Sequence, residues 1–451
     1  MNQEYDMMAH KPIFPLLMKM AIPPMISMLI QSMYNIIDSI FVAKLGEEAL
    51  TALSLAFPLQ NLSLAFSVGL GVAINALIAK SLGASDEKQA NYISDHGIFL
   101  AILHSLLFVF IGIFLMKPFF LMFTTNPTVL DYAITYGSIV ITFTFGSIIH
   151  ITIEKMFQAT GNMMIPMFLQ GIGAIVNIIL DPILIFGING YLEFGVAGAA
   201  IATIIGQMTA CLLAIILFRK TSRIKVSLKN FKPNAQIIKN IYSIAIPSGV
   251  MTSLPSILVA LLNSLLATVS QTAIAFFGIY FKLQSFIYMP ANGLIQGMRP
   301  LISYNYGAKN YERITEFFKI TCVVSLAISA ITTIIMFVFP DFLVGLFSSK
   351  SDIEIIQMSK IALLLSAPSY LFSWFSMTVG CFLTGFEKAT ESMIIMLVES
   401  VVLPLVLIVI LTKLMGVYGI FLIPTIGGIV STIIGLVLWK KCVKEEFQIA
   451  D

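Results

Sequence analysis

The chain has 451 residues, of which 58% are hydrophobic and only 11% are charged, with a mean hydropathy of +0.95. Soluble domains carry roughly 25% charged residues, so this chain has too few charges to coat a surface that faces water. The net charge of +3 is small, and its distribution along the chain is more informative.

The N-terminal segment carries no recognisable cleavable signal peptide. Its first dozen residues are polar, and the apolar run that follows lacks a cleavage site of small residues. That run continues past Phe41, which is long enough to cross a bilayer. We therefore predict a first transmembrane helix that is retained in the protein.

Apolar stretches of roughly 20 residues recur along the chain and are separated by short polar breaks. A bilayer favours helices because every backbone polar group must be paired within the protein. The pattern predicts an all-α polytopic membrane protein of twelve transmembrane helices, here called spans 1 to 12. Their predicted centres are Ile30, Phe66, Leu106, Thr142, Ala174, Ile205, Val259, Tyr288, Ala327, Leu371, Leu403 and Gly427.

The Lys and Arg residues predict the orientation of these spans. With a cytoplasmic N-terminus, twenty of them fall on the inside and five on the outside, with Lys282 within a span. The positive-inside rule then predicts a multi-pass protein of the cytoplasmic (inner) membrane with both termini in the cytoplasm. The longest basic loop, between Arg219 and Lys239, is predicted to be a cytoplasmic linker.

The second half of the sequence superimposes on the first at a constant offset. Ala21-Ile22-Pro23 falls on Ala245-Ile246-Pro247, and Gly83-Ala84 falls on Gly307-Ala308. We predict an N-lobe at 1–218, a linker at 219–239 and a C-lobe at 240–451. Because each half holds six spans, an even number, both halves have the same membrane orientation and the repeat is parallel. Transporters that are built from parallel repeats bind cargo between their halves near the bilayer midplane.

Acidic residues within spans are rare and costly, about +2.5 to +3.5 kcal/mol for an Asp at a helix centre. Asp38 in span 1 and Asp181 in span 5 have leucines as their counterparts in the second half. The duplicated scaffold therefore folds without these acids, which favours a coupling role. Tyr34 and Asn177 each lie four residues before one of the acids and share its helix face. Such oxygen ligands suit a hard cation such as Na+, held by Asp38, Asn177 and Asp181, and the acids could instead hold a proton.

Other polar residues within spans are weaker candidates. Glu399, which aligns with Asn177 through the repeat, is interpreted as a residue that binds cationic cargo, relays a proton or pairs with another polar group such as Lys282. Lys282 is interpreted as a side chain that either snorkels to an interface or neutralises a buried acid. Candidate cargo-orienting groups, each also able to join helices, are Gln31, Asn35, Gln60 and Gln284. Pro23 and Pro24 interrupt the hydrogen bonds of span 1 and predict a hinge for alternating access, although prolines are also simply tolerated in membrane helices.

Four segments resemble the multidrug and toxic compound extrusion (MATE) family, and the resemblance extends over essentially the whole chain. They are the first-helix motif at 38–43, the fifth-helix signature at 177–187, the start of the sixth helix at 195–203, and 300–308 at the end of the eighth. The resemblance implies two helix bundles that export organic, often cationic, compounds by exchange with H+ or Na+. It also implies an N-lobe cation site of Asp38, Asn177, Asp181 and Thr203, with Tyr34 nearby. Pro255 stands near the position of a helix-7 Glu found in one branch, which puts a C-lobe site of that type in doubt.

The predicted function is therefore a secondary transporter that works as a monomer on small organic substrates, with H+ or Na+ as coupling ion and no other cofactor. A lipid-linked precursor flippase of related architecture is the alternative, but it needs more intramembrane cations to hold a pyrophosphate. No HExxH, GxSxG or P-loop motif is present, so neither an enzyme nor an ATP-binding site is predicted. No nucleic-acid partner is predicted.

Overall fold

The computed structural model describes residues 3–188, 192–229, 231–267, 271–345 and 353–447, and these are built from helices. All twelve predicted span centres fall within helices, and the predicted all-α fold is confirmed. The first six spans are Ile13–Ala43, Glu47–Gly83, Glu87–Phe114, Pro127–Thr142 with Phe145–Ala159, Met164–Phe186, and Val196–Thr221. The last six are Ala235–Ala267, Gln271–Gly307, Tyr311–Val338, Ile353–Ser366 with Ser369–Gly385, Ala389–Met415, and Ile423–Phe447. Short helices cover Gln3–His10, Met116–Leu121, Pro340–Gly345 and the 3-10 turn Gly416–Leu422.

Spans 4 and 10 are each broken into two helices. The helices of span 4 meet at 41° around Thr144, and those of span 10 meet at 50° around Pro368. Pro368 has no N–H and disfavours helical geometry at the residue before it, which accounts for the second break. Thr144 is its counterpart in the first half of the repeat and is not a proline. The bend therefore belongs to the duplicated fold and does not depend on proline alone.

Spans 5 and 6 approach each other through glycine. A Cβ atom on Gly198 would lie 2.0 Å from the carbonyl oxygen of Leu184, and one on Gly206 would lie 2.7 Å from that of Gly173. Small residues at such contacts let membrane helices pack backbone to backbone, where no hydrophobic driving force pulls them together. This close approach positions the polar residues described below.

The chain forms two compact units, and spans 1 and 7 each contribute to both. The first unit comprises Met1–Met7 and Pro23–Gly249, and the second comprises Met8–Ile22 and Val250–Asp451. In the second unit, Arg313 Nε donates to the carbonyl oxygen of Met8 at 3.1 Å. The bounds of these packing units differ from those of the two sequence halves, because the start of each half packs on spans of the other half.

Two glycine contacts show that the first helix segment of each half packs on a span of the other half. In the first unit, a Cβ atom on Gly69 of span 2 would lie 2.4 Å from the carbonyl oxygen of Ala245. In the second unit, one on Gly297 of span 8 would lie 2.7 Å from the backbone nitrogen of Ala21. Ala21 and Ala245 are counterparts in the repeat, so both copies use the same exchange of an initial helix segment.

The segment between spans 6 and 7 is bound to span 3. The Asn91 side chain accepts from the Lys225 N–H at 2.8 Å, and the Asp95 side chain accepts from the Ser227 N–H at 2.7 Å. His96 Nε2 accepts from the Asn234 N–H at 2.9 Å. The predicted basic linker is thus held on span 3 at three points, Lys225, Ser227 and Asn234.

Candidate functional site

The five residues predicted for the cation site lie close together in the first unit. Spans 5 and 6 contribute Asn177, Asp181 and Thr203, which are 2%, 0% and 4% exposed. Span 1 contributes Tyr34 and Asp38, which are half-buried. The structure therefore brings together side chains that are far apart in sequence, around two carboxylates.

The Asn177 amide joins the two helices of the site. In the amide orientation that satisfies both neighbours, its nitrogen donates to Asp181 Oδ2 at 3.2 Å and its oxygen accepts from the Thr203 N–H at 3.1 Å. Asn177 and Asp181 stand one helical turn apart, so this pairing follows from the helix geometry. The amide thereby fixes the carboxylate relative to span 6.

Asp38 completes the site from span 1. Its Oδ1 atom is buried and has no hydrogen-bond partner in the part of the chain that the structure describes. Its charge also interacts with that of Asp181, and the Tyr34 hydroxyl interacts with Thr203. A buried carboxylate oxygen without a partner is costly, so the site favours a ligand that supplies positive charge.

Pro182 adds a further feature beside Asp181. It lies inside span 5 and has no N–H, so the helical hydrogen bond to the Ile178 carbonyl is not made. A main-chain oxygen released in this way is a possible oxygen ligand on the same helix. The donor set of carboxylates, an amide and hydroxyls fits a hard monovalent cation, and the carboxylates alone fit a proton.

Tyr136 of span 4 was missed by the sequence reasoning. It is 3% exposed, and its phenol interacts electrostatically with Asp38, Tyr34 and Asp181. Gln60 Nε2 donates to the Tyr136 hydroxyl at 3.4 Å, which connects span 2 to the site. The only signal in the sequence is a phenol within an apolar span, and tyrosines are common in such spans.

Tyr136→Phe is expected to weaken the apparent affinity for the coupling ion about five-fold, since a lost hydrogen bond costs about 1 kcal/mol. The ion dependence of transport measures this effect. Tyr92→Phe makes the same chemical change on span 3, where the hydroxyl donates to the Lys232 carbonyl at 3.2 Å, and should leave the ion dependence unaltered. Equal ion dependence in Tyr136→Phe and wild type would remove Tyr136 from the site.

The remaining predicted residues occupy different places. Gln31 and Asn35 have exposed side chains, Gln60 reaches the site through Tyr136, and Gln284 is half-buried in span 8. Glu399 lies in the second unit among serine side chains. Pro23 and Pro24 lie inside the helix of span 1. The side chain of Lys282 falls outside the described residues.

The MatE family model matches the chain twice, at residues 23–183 and 247–410. The two matched segments begin at Pro23 and Pro247, which are counterparts in the repeat seen in the sequence. The chain is also 30% identical over 377 residues to the multidrug export protein MepA of Staphylococcus haemolyticus, which covers 82% of both chains. The MepA of Staphylococcus aureus strain MW2 is 30% identical over 383 residues, covering 84% of this chain and 82% of the relative.

Solved structures share the fold. A MATE structure in complex with MaL6 superimposes with a TM-score of 0.93 at 23% identity and covers 99% of this chain and 100% of the other. A MOP superfamily transporter from Pyrococcus furiosus superimposes with a TM-score of 0.91 at 23% identity, covering 99% of each chain.

Proposed function

The chain belongs to the MatE family of transporters and is not an enzyme, and on that premise we propose that it exports small organic compounds by exchange with H+ or Na+. The proposed cargo is cationic or amphiphilic, in keeping with the multidrug export proteins to which the chain is similar. The proposed location is the cytoplasmic membrane with both termini inside, on the strength of the Lys and Arg distribution.

One observation carries the proposal: two carboxylates, Asp38 and Asp181, lie together in a mostly buried site, and one Asp38 oxygen has no partner among the described residues. A cation or proton that neutralises them lowers the energy of the site, and its release restores the repulsion. The ion gradient can therefore do work through this pair. Asn177 and Thr203 hold the Asp181 side of the site fixed, so we place the movement in span 1.

Alternating access requires that span 1 bend, and we place the hinge at Pro23 and Pro24. The boundary between the compact units falls between Ile22 and Pro23, which supports this position. The two prolines remove consecutive helical hydrogen bonds and make the helix easier to bend there. Neutralisation of Asp38 would change the pairing of the part of span 1 that follows Pro24, without moving the part that precedes Pro23.

Replacing both prolines with alanine is expected to slow export about ten-fold, which corresponds to about 1.4 kcal/mol. Ethidium efflux from proteoliposomes measures the rate. Pro58→Ala, which removes an exposed proline from the interior of span 2, is the matched control and should export at the wild-type rate. If the Pro23→Ala, Pro24→Ala double variant exported at the wild-type rate, the hinge would not lie at these prolines.

The experiment that tests the proposed function is ethidium export from proteoliposomes under separately imposed H+ and Na+ gradients. We expect one gradient to drive export and its dissipation to stop it, which also names the coupling ion. An export rate that is the same with and without each gradient would contradict ion-coupled exchange.

A further inference from the structure

Glu399 of span 11 lies among three serine hydroxyls in the second unit. Ser373 Oγ donates to its Oε1 at 2.8 Å, and Ser376 Oγ donates to its Oε2 at 3.1 Å. Ser431 of span 12 is also a hydrogen-bond partner. The three serines are at most 4% exposed, and Glu399 is half-buried. We call these four residues the serine cage.

The backbone at the cage departs from a regular α-helix. Val398–Val402 forms a π turn in which the Leu403 N–H donates to the Val398 carbonyl. Such single turns inside helices are frequent at functional sites. Pro404 follows and supplies no N–H, and a Cβ atom on Gly427 of span 12 would lie 3.4 Å from the Glu399 carbonyl oxygen. The turn and the glycine together bring Glu399 against spans 10 and 12.

Two hydroxyls of the cage have a second acceptor available. Ser376 Oγ also donates to the Ser373 carbonyl at 2.9 Å, and Ser431 Oγ donates to the Gly428 carbonyl at 3.1 Å. Each hydroxyl has one hydrogen and can also accept. With Glu399 ionised, the hydroxyls donate to it. With Glu399 protonated, the Ser376 and Ser431 hydroxyls donate to the carbonyls instead, and one serine oxygen accepts a hydrogen bond from the single O–H of Glu399. Both protonation states are therefore hydrogen-bonded without movement of the helices.

Within spans 11 and 12, the nearest charged residues are at least two helical turns from the cage. Along span 11 the nearest are Glu391 and Lys413, and along span 12 the nearest to Ser431 is Lys440. Nine helical residues span about 13 Å and eight about 12 Å, so none of these side chains is in direct contact. In span 10, Tyr370 packs in a separate apolar cluster, and residues 250–267 of span 7 contain no ionisable side chain. Among the described residues, the hydrogen-bond partners of the Glu399 carboxylate are these serines.

The repeat places the cage at the same point of the fold as the first site. When Glu399 is aligned with Asn177, Pro404 falls on Pro182 and Gly428 falls on Gly206. The counterpart of Asp181 is Leu403. The second unit therefore carries its acid one helical turn away from the position used in the first unit, and it surrounds that acid with hydroxyls rather than with a second acid.

We propose that Glu399, with Ser373, Ser376 and Ser431, forms a second proton-binding site, separate from Asp38 and Asp181. A proton from water binds a carboxylate oxygen, the Ser376 and Ser431 hydroxyls reorient to backbone carbonyls, and the reverse change releases the proton to water. Proton binding at this site stands apart from the coupling mechanism, and only its use during transport rests on the proposed function.

Infrared difference spectroscopy between high and low pH tests the proposal on the purified full-length protein. The Asp38→Asn, Asp181→Asn double variant removes the acids of the first site, and we expect its spectrum to keep a protonated-carboxyl band that titrates with pH. Adding Glu399→Gln should abolish that band, whereas adding Glu391→Gln on the same span should leave it. A band that survives Glu399→Gln unchanged would overturn the proposal.

Two further measurements keep the result specific. Ser373→Ala with Ser431→Ala leaves Glu399 in place and should shift the pH at which the band appears, and an unshifted band would rule out the cage. Added NaCl at constant pH should leave the band intact, and its loss would identify a Na+ site instead of a proton site. Because the band is measured without a gradient, failure of ion-driven export would leave this result unaffected.

Discussion

Asp181→Asn and Asp38→Asn are each expected to reduce gradient-driven export at least about 100-fold. Each substitution removes one of the two carboxylates that the coupling ion neutralises, and a factor of 100 corresponds to about 2.7 kcal/mol of lost coupling. Asparagine keeps the size of the side chain, so the change isolates the charge. Because an amide can be neutralised by neither H+ nor Na+, the variant site can no longer be switched by the ion.

Ethidium export under the gradient that drives the wild type measures this loss. Asp131→Asn is the matched control, because it makes the same change at an exposed position in the first unit and should export normally. Binding of ethidium in the absence of a gradient should persist in both site variants, which separates lost coupling from misfolding. Normal export by both Asp38→Asn and Asp181→Asn would contradict a coupling role for these acids. It would favour a role for the chain that does not involve ion-driven transport.

Gly206→Ala is expected to lower stability by about 1–3 kcal/mol and to impair export at the same time. The new Cβ atom would lie 2.7 Å from the Gly173 carbonyl oxygen and 3.1 Å from Asn177 Cβ. Neither the backbone nor the first carbon of a side chain can rotate away, so span 6 must move from span 5. That movement stretches the contact between Asn177 and the Thr203 N–H and disturbs the support of Asp181.

Thermal unfolding in detergent and export from proteoliposomes together test this prediction. Gly171→Ala is the control on span 5, because its Cβ atom would meet only Ile30 Cδ1 at 3.8 Å, an ordinary contact. We expect a lower melting temperature and weaker export for Gly206→Ala alone. Matching stability and export in the two alanine variants would mean that the close approach of spans 5 and 6 does not support the site.

The sequence by itself determined the features that depend on local pattern. Hydrophobic runs of the length of a bilayer predicted the twelve spans, and the repeat was readable from pairs such as Pro23 and Pro247. The one-turn spacing of Asn177 and Asp181 predicted a shared helix face, and the structure pairs these two side chains. These inferences succeed because helix periodicity and membrane thickness constrain residues that are close together in the sequence.

The tertiary structure decided which helices meet and how closely. Tyr136 lies at the site, Ser373 and Ser431 surround Glu399, and Met8–Ile22 packs with the second unit, although no pattern near these residues indicates it. In lipid the apolar faces of helices do not reveal their partners, because the surrounding acyl chains are equally apolar. The partners are set by small residues such as Gly206 and by helix breaks, whose effect appears only when the helices are assembled.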